Sequence, residues 1–184
     1  MGELTFEVDN LITSYGKFKI SNVSFKLKNG DVLGLIGRSG SGKSTLIRTL
    51  LGLKKPESGS VKAYVNKLTV PLKNVIGYSP QDNALYPFMT VEENMMTLGE
   101  LYNVKKSVIK EKTNFLLKRF DLDKSRHKKI TDLSGGMQKR ADLAVSLVHS
   151  PQIIFLDEPF TGLDVSLQAF IWNLMKELSA EGKI

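Results

Sequence analysis

The sequence predicts an α/β protein, because short apolar runs of strand length alternate with segments of helical periodicity. Val32 to Ile36 and Ile153 to Leu156 are continuous runs that contain β-branched residues. This pattern is typical of parallel strands that helices cover on both faces. Leu167 to Leu178 instead carries its apolar residues at helical spacing. We therefore expect a mainly parallel central sheet flanked by helices.

An octapeptide makes the fold class specific. Residues 37–44 read G-R-S-G-S-G-K-S and lie between the run Val32 to Ile36 and the helix-like stretch Thr45 to Leu53. Glycines let backbone N–H groups curl around a polyphosphate, Lys43 adds positive charge at the outer phosphates, and the Ser44 hydroxyl can ligate Mg²⁺. A flexible Gly/Ser turn is the alternative, but the position between strand and helix favours a P-loop NTPase that binds a nucleoside triphosphate.

Alternating residues predict a second, smaller sheet near the N-terminus. Leu4 to Val8 and Val23 to Leu27 alternate apolar and polar side chains, as half-exposed strands do. We expect them to form an antiparallel β subdomain. Val61 to Val65 and Val75 to Tyr78 predict two further strands.

Helical patterns dominate the chain from about residue 83. Thr90 and Glu93 have the spacing of a capping box, ahead of a helix that extends to about Tyr102. A second helix is predicted from about Ser107 to Phe120. These two helices predict an inserted α-helical subdomain.

The patterns divide the chain into three predicted segments. Residues 1–82 form a nucleotide-binding core with the antiparallel subdomain, and residues 83–132 form the helical subdomain. Residues 133–184 return to the core. They begin with a helix from Gly136 to His149, which Pro151 ends before the buried strand.

Composition narrows the functional classes. The 184 residues are 41% hydrophobic and 24% charged, which is ordinary for a folded domain. No apolar run approaches the length that a membrane-spanning helix needs, which is about 18 residues. The absence of cysteine excludes disulfides and thiol catalysis. Much of the net charge of +7 comes from residues 105–129, which contain ten Lys and Arg residues and three acidic ones. This segment is either a solvated helix face near anionic lipid or a nucleic-acid patch, and its few aromatics favour the former.

Two carboxylates follow the second apolar run directly. Asp157 and Glu158 lie at the carboxyl end of a predicted central strand, where α/β sheets collect their ligands. Adjacent strand side chains point in opposite directions, so one can hold Mg²⁺ while the other faces an attacking water. An exposed acidic strand end is the alternative. Gln81, which follows the strand Val75 to Tyr78, is a third candidate because a neutral amide can contact metal and water.

A second anion-binding helix start is predicted at residues 133–140, which read L-S-G-G-M-Q-K-R. Ser134, Gly135 and Gly136 open a helix and leave its first N–H groups available. The chain thus has two helix starts that can bind phosphate. Either both belong to one site, or two chains share them.

In their order and spacing these motifs resemble the nucleotide-binding subunits of ABC transporters. The matching segments are G-R-S-G-S-G-K-S as Walker A, S-P-Q-D as the Q-loop, L-S-G-G-M as the signature, I-I-F-L-D-E-P as Walker B and T-G-L-D as the D-loop. Met137, together with A-L-Y-P-F-M-T-V-E-E-N, looks more like export-type ATPases of the ABC-2 or multidrug kind, whose permease is a separate protein.

The resemblance implies an ATPase that uses ATP and Mg²⁺ in a head-to-tail dimer. Each ATP would lie between Walker A of one subunit and the signature of the other, across a two-fold interface. A transmembrane permease would be the second partner, docked on the helical insertion and the groove beside Gln81. The chain would lie on the inner, cytoplasmic face of the cell membrane, and no nucleic-acid partner is expected.

The resemblance also assigns residues. Lys43, Gln81 and Glu158 would be catalytic, with Glu158 as the general base. Tyr15 would stack on adenine, unless it packs between strands. The nucleotide-binding residues would be Tyr15, Gly37, Arg38, Ser39, Gly40, Ser41, Gly42, Lys43, Ser44 and Thr45. Ser44, Gln81 and Asp157 would hold the metal. Ser134, Gly135, Gly136 and Asp164 would act across the dimer.

One departure from the family concerns its switch histidine, which follows the Walker B glutamate by about thirty residues. Only 26 residues follow Glu158, and His127 and His149 both precede it. We therefore expect a C-terminally truncated member that binds ATP but hydrolyses it poorly. The competing hypotheses are a soluble ABC-type ATPase acting on DNA or ribosomes, and a module that holds ATP without turnover.

Overall fold

The computed structural model describes residues 2–16 and 18–184, and the chain separates into two compact units. Unit 1 combines Met1–Ile76, Gln152–Asp157 and Trp172–Ile184. Unit 2 combines Gly77–Pro151 and Glu158–Ile171. The three segments predicted from the sequence remain a prediction about domain organisation.

The predicted antiparallel subdomain is confirmed as a four-stranded sheet. Its strands are β1 (Leu4–Tyr15), β2 (Phe18–Lys28), β3 (Ser58–Val65) and β4 (Leu68–Val70), in the order β2-β1-β3-β4. All three pairings are antiparallel. Val8 lies opposite Phe25 on one side and Val61 on the other, so the alternation seen in the sequence sets one apolar face.

That apolar face forms the core of unit 1. The first helix, α1 (Lys43–Leu50), has helical spacing between its buried residues Leu46 and Leu50, so both reach the same cluster. The ring of Phe6 lies against Phe155 with 5.9 Å between centroids. The buried cluster consists of Leu4, Phe6, Val8, Leu11, Leu46, Leu50, Ala63, Val75, Ile76 and Ile153.

A second sheet pairs β5 (Ile76–Ser79), which follows the short helix α2 (Leu72–Val75), with β6 (Ile153–Leu156). Both strands were expected from their apolar runs, and β5 starts one residue later than predicted. The last residue of the chain extends hydrogen bonding beside β6. The Ile184 N–H donates to the Gln152 carbonyl at 3.0 Å, and its carbonyl accepts from the Ile154 N–H at 2.7 Å.

The prediction of a central strand over Val32 to Ile36 is wrong for this structure. These residues have no regular secondary structure, and Ile36 is 95% exposed. A strand needs a neighbour that accepts and donates its backbone hydrogen bonds. Among the described residues no strand pairs with this segment, so apolar composition alone did not place it in a sheet.

Unit 2 contains the two helices that the sequence predicted after about residue 83. The helix α3 (Val91–Leu101) begins with the predicted capping box: the Glu93 N–H donates to the Thr90 hydroxyl at 3.1 Å, and the Thr90 N–H donates to the Glu93 carboxylate at 2.7 Å. The helix α4 (Lys106–Arg119) packs beside α3. Gly99 permits this close approach, because a Cβ there would lie 2.7 Å from the Ile109 side chain.

Two long helices complete the chain. The helix α5 (Gly135–Leu147) is buried from Ala141 onwards. The helix α6 (Val165–Ala180) follows β6. Of its predicted apolar stripe, Leu167, Ile171, Leu174 and Leu178 are buried, and Phe170 and Met175 are half-buried. Across residues 2–16 and 18–184, no helix combines the length and the apolar character that a membrane crossing requires.

Candidate functional site

Residues 37–44 form a loop, the phosphate loop, whose backbone carbonyls contact the side chain of its own Lys43. The Lys43 ammonium group donates to the carbonyl oxygens of Gly37 and Arg38, at 2.7 and 3.1 Å. A turn inside the loop is closed by the Ser41 N–H, which donates to the Arg38 carbonyl at 3.1 Å. The loop therefore places a positive charge across its own backbone, where a polyphosphate would be expected to bind.

The phosphate loop leads directly into the N-terminus of α1. Gly42 occupies the N-cap position with φ +90°, and no side chain caps the first turn. A Cβ on Gly42 would lie 2.5 Å from the Phe18 ring and 2.8 Å from Ile20. Only glycine satisfies both the positive φ and the lack of space. The first N–H groups of α1 therefore remain available to an anion, which the positive end of the helix dipole favours.

Tyr15 lies at the end of β1 and is 74% exposed. It faces Phe18 across the β1–β2 pair, and Phe18 is the ring that lies against Gly42 of the phosphate loop. The alternative in which Tyr15 packs between strands does not agree with this exposure. Its role as an adenine-stacking residue stays a prediction.

The two acidic residues after β6 have different surroundings. Asp157 is only 8% exposed, whereas Glu158 is exposed. We expected the difference from strand alternation, but the strand ends at Leu156 and the chain turns at Glu158, which has φ +47°. A left-handed conformation costs a non-glycine residue roughly 1–2 kcal/mol. Thr161 holds the turn through two hydrogen bonds. Its N–H donates to the Glu158 carbonyl at 3.2 Å, and its hydroxyl donates to the Glu158 carboxylate at 3.2 Å.

A cavity of about 530 Å³ lies within unit 2 and brings several predicted residues together. We call it the Gln81 cavity. Its lining includes Gln81, the signature glycines Gly135 and Gly136, Glu158 and Asp164. These residues come from three separate stretches of the sequence, and the structure places all of them around one space. Ser134 is not part of the lining.

Ser134 and Asp164 both cap helices. The Ser134 hydroxyl accepts from the Met137 N–H at 3.4 Å at the start of α5. The Asp164 carboxylate accepts from the Leu167 N–H at 2.9 Å at the start of α6. These bonds give both residues a structural role. Their predicted contacts across a dimer stay predictions.

Sequence reasoning missed Asp142, which is 3% exposed in the middle of α5. Burial raises the pKa of its carboxyl group, and hydrogen bonds from the Ser79 hydroxyl and the Ala84 N–H, with the nearby Lys139 charge, act in the opposite direction. The available signal was one acidic residue inside the otherwise apolar stretch A-D-L-A-V. A buried carboxylate needs such partners, but the sequence does not say which residues supply them.

The donor groups fit a magnesium ion that arrives with its nucleotide. Mg²⁺ is usually held by one or two carboxylates together with substrate phosphates, rather than by an all-protein cage. Unit 1 supplies the carboxylate of Asp157, at the end of β6, and the hydroxyl of Ser44, in the first turn of α1. Within the described part of the chain, no cluster of three or more His, Cys, Asp or Glu could hold a metal alone.

A glycine loop closed by its own lysine and followed by an uncapped helix defines a nucleotide-binding protein of the P-loop class. The family model described as ABC transporter matches residues 20–161. The chain belongs to the ABC transporter family, as the motifs predicted.

Known proteins agree with this assignment. ABC transporter G family member 20 of Dictyostelium discoideum is 35% identical, over 98% of this chain and 25% of its own length. The linearmycin resistance ATP-binding protein LnrL of Bacillus subtilis (strain 168) is 34% identical, over 96% of this chain and 58% of its own length. The chain thus spans between a quarter and about three fifths of these two relatives.

Solved structures confirm the fold class. A structure described as the ATP-binding subunit of an ABC transporter superposes with a TM-score of 0.84 and 26% identity, over 97% of this chain and 76% of that chain. The α/β P-loop fold with an antiparallel sheet, a parallel sheet and inserted helices is therefore confirmed. The exception is the segment Val32 to Ile36, described above.

Proposed function

We propose that this chain is the ATP-binding and ATP-hydrolysing subunit that powers substrate transport by a membrane ABC transporter. The observation that carries the proposal is the phosphate loop, in which Lys43 lies over the loop carbonyls at the uncapped start of α1. The relative LnrL, named as a resistance ATP-binding protein, supports the same function.

In this proposal the phosphate loop binds the triphosphate. Backbone N–H groups around Gly42 donate to phosphate oxygens, and the Lys43 ammonium group exchanges its carbonyl partners for the β- and γ-phosphates. Tyr15 stacks on the adenine ring, for which its exposure at the end of β1 leaves it available. Ser44, Gln81 and Asp157 would hold Mg²⁺, which would neutralise charge on the phosphate oxygens.

Glu158 acts as the general base. Its turn at positive φ separates its surroundings from those of Asp157, so the buried carboxylate serves the metal and the exposed one accepts a proton from the attacking water. Thr161 fixes the Glu158 carboxylate through its hydroxyl. Strain of this kind is typical of functional positions, which supports a catalytic role for this residue.

The proposed dimer uses the start of α5. Gly135 is exposed, and a Cβ added to it would meet nothing within 4 Å, so a phosphate of a nucleotide held by a second subunit could approach its backbone. Ser134, Gly136 and Asp164 would complete this contact. A head-to-tail two-fold interface would use each such surface twice.

The proposed permease partner would dock on unit 2. Tyr86 and Phe88 follow Gln81 in the sequence and are both exposed, as expected of an interaction surface. A chain that docks there would lie on the cytoplasmic face of the cell membrane. Export is the direction we propose, on the basis of Met137 and the resemblance to export-type ATPases. The soluble ATPase that acts on DNA or ribosomes is the competing proposal, and we expect no nucleic-acid partner.

ATP binding is tested with the fluorescent analogue mant-ATP and two matched variants. Lys43→Met should weaken binding by about 10- to 100-fold, because a charge-assisted hydrogen bond contributes about 1.5–3 kcal/mol. Lys55→Met removes an exposed lysine outside the loop and should leave the dissociation constant unchanged. Equal binding by the wild-type chain and Lys43→Met would contradict the proposal.

The transporter role is tested by purification from membranes. The tagged chain should recover a protein with several membrane spans, whereas recovery of ribosomes or DNA instead would favour the competing soluble ATPase. The expectation that this chain binds ATP better than it hydrolyses it stays a prediction, and a turnover measurement on the 184-residue chain tests it.

A further inference from the structure

The buried carboxylate of Asp142 has no role in the proposed reaction, yet it is central to a hydrogen-bonded network in unit 2. One carboxylate oxygen accepts from the Ser79 hydroxyl, and the other accepts from the Ala84 N–H at 3.0 Å. Both partners belong to the segment of residues 79–84, which we call the Gln81 loop. A single side chain on α5 therefore holds both ends of this loop.

Neighbouring residues of α5 extend the network. The Lys139 ammonium group donates to the Ser79 hydroxyl at 3.2 Å and to the Pro80 carbonyl at 3.1 Å. The Asn83 amide donates to the Gln138 side chain at 3.3 Å. Every contact lies between the same helix and the same loop, and Gln81, in the middle of that loop, is one of the residues that line the cavity.

We propose that Asp142 is a positioning residue that fixes Gln81 relative to the start of α5. Gly135 and Gly136, at that helix start, line the same cavity as Gln81. A displacement of α5 would therefore carry the Gln81 loop with it, and a displacement of the loop would carry the helix. The inference rests on the proposed function in one respect, namely that Gln81 takes part in ATP hydrolysis.

The chemistry of the site explains why a carboxylate is needed. Two donors converge on Asp142, and an ionised carboxylate is an acceptor at both oxygens. Asparagine keeps one acceptor and presents an amide group in place of the other, so either the Ser79 hydroxyl or the Ala84 N–H loses its acceptor at almost constant side-chain volume. Because the group is buried, water cannot readily replace the lost bond.

Two measurements on Asp142→Asn test the proposal. Amide hydrogen exchange in residues 79–84 should become at least about tenfold faster, since the loop has lost one of its anchors. Single-turnover hydrolysis of Mg-ATP should become about 10- to 100-fold slower, while the dissociation constant for mant-ATP stays within about twofold of wild type. A merely structural role would not separate turnover from binding in this way.

Asp121→Asn is the matched control. Asp121 is exposed, and its carboxylate lies 3.9 Å from Arg140, which is also on α5. It contacts α5 outside the Gln81 loop, so both measurements should match wild type. Ser79→Ala is the second variant if Asp142→Asn is poorly folded, and it should accelerate loop exchange in the same way.

The outcomes separate this inference from the proposed function. Unchanged exchange in residues 79–84 of Asp142→Asn overturns the positioning role, and so does faster exchange with unchanged turnover. A wild-type chain that does not bind mant-ATP contradicts the proposed function instead, whereas a wild-type chain without measurable hydrolysis agrees with the poor turnover expected of it. Exchange alone then decides whether Asp142 holds the loop: accelerated exchange supports the inference, and unchanged exchange overturns it.

Discussion

The phosphate loop of unit 1 and the Gln81 cavity of unit 2 are built by different means. The phosphate loop is held by local bonds, such as those from the Lys43 ammonium group to the carbonyls of Gly37 and Arg38, which lie within six residues of it. The Gln81 cavity is instead assembled from side chains far apart in the sequence, as in the bonds from Ser79 and Ala84 to Asp142. We infer that the first region serves binding and the second serves turnover, so that mutations should separate the two.

The largest expected effect concerns turnover. Glu158→Gln keeps the size of the side chain but removes the base, so hydrolysis should slow by about 10²- to 10⁴-fold. Single-turnover assays with labelled ATP measure this rate. Thr161→Val removes only the hydroxyl that holds the carboxylate and should have a much smaller effect. Equal losses in the two variants would mean that the carboxylate acts through structure, not chemistry.

The next effect tests the local construction of the phosphate loop. Gly42→Ala should destabilise the chain by about 2–4 kcal/mol, because its φ of +90° disfavours alanine and the added Cβ would meet Phe18 and Ile20. Urea denaturation measures the change. Gly34→Ala is the control, since a Cβ there meets nothing within 4 Å. If both substitutions are neutral, the close packing at Gly42 is not a constraint.

A smaller effect tests whether damage to unit 2 reaches the phosphate loop. Thr90→Ala removes the cap of α3 and should lower the free energy of unfolding by about 1 kcal/mol. Binding of mant-ATP should be unchanged, because the phosphate loop draws its bonds from its own residues. Ser107→Ala, an exposed position in α4, should change stability by less than about 0.5 kcal/mol. Weaker nucleotide binding in folded Thr90→Ala would break the proposed separation.

The smallest effect concerns strain at the catalytic turn. Glu158 has φ +47°, and glycine adopts this conformation without the Cβ penalty. Glu158→Gly should therefore raise the free energy of unfolding by about 0.5–1 kcal/mol. Because it also removes the base, this variant should not hydrolyse ATP. Differential scanning calorimetry compares it with Glu158→Gln, which keeps the strain. Equal stability of the two variants would show that the turn stores no strain.

The sequence predicted those features that depend on neighbouring residues. The capping box of Thr90 and Glu93, the helices α3 to α6 and the alternating strands β1 and β2 all follow from local patterns, and the structure contains each of them. The phosphate loop was equally predictable from the sequence, because its glycines and lysine act within one octapeptide.

Features that depend on distant partners were not predictable. Val32 to Ile36 and Ile153 to Leu156 have the same apolar pattern, yet only the second pairs with a neighbouring strand. The partners of Asp142 lie 63 and 58 residues away, and no local pattern identifies them. The turn at Glu158 was also missed, since the adjacent apolar strand suggested continued alternation.

The most direct test of the separation between binding and turnover is the affinity of Glu158→Gln for mant-ATP in the presence of Mg²⁺. The dissociation constant should match that of wild type, although hydrolysis is slowed by at least about 10²-fold. A loss of affinity as large as the loss of turnover would contradict the account and assign Glu158 to the binding of nucleotide.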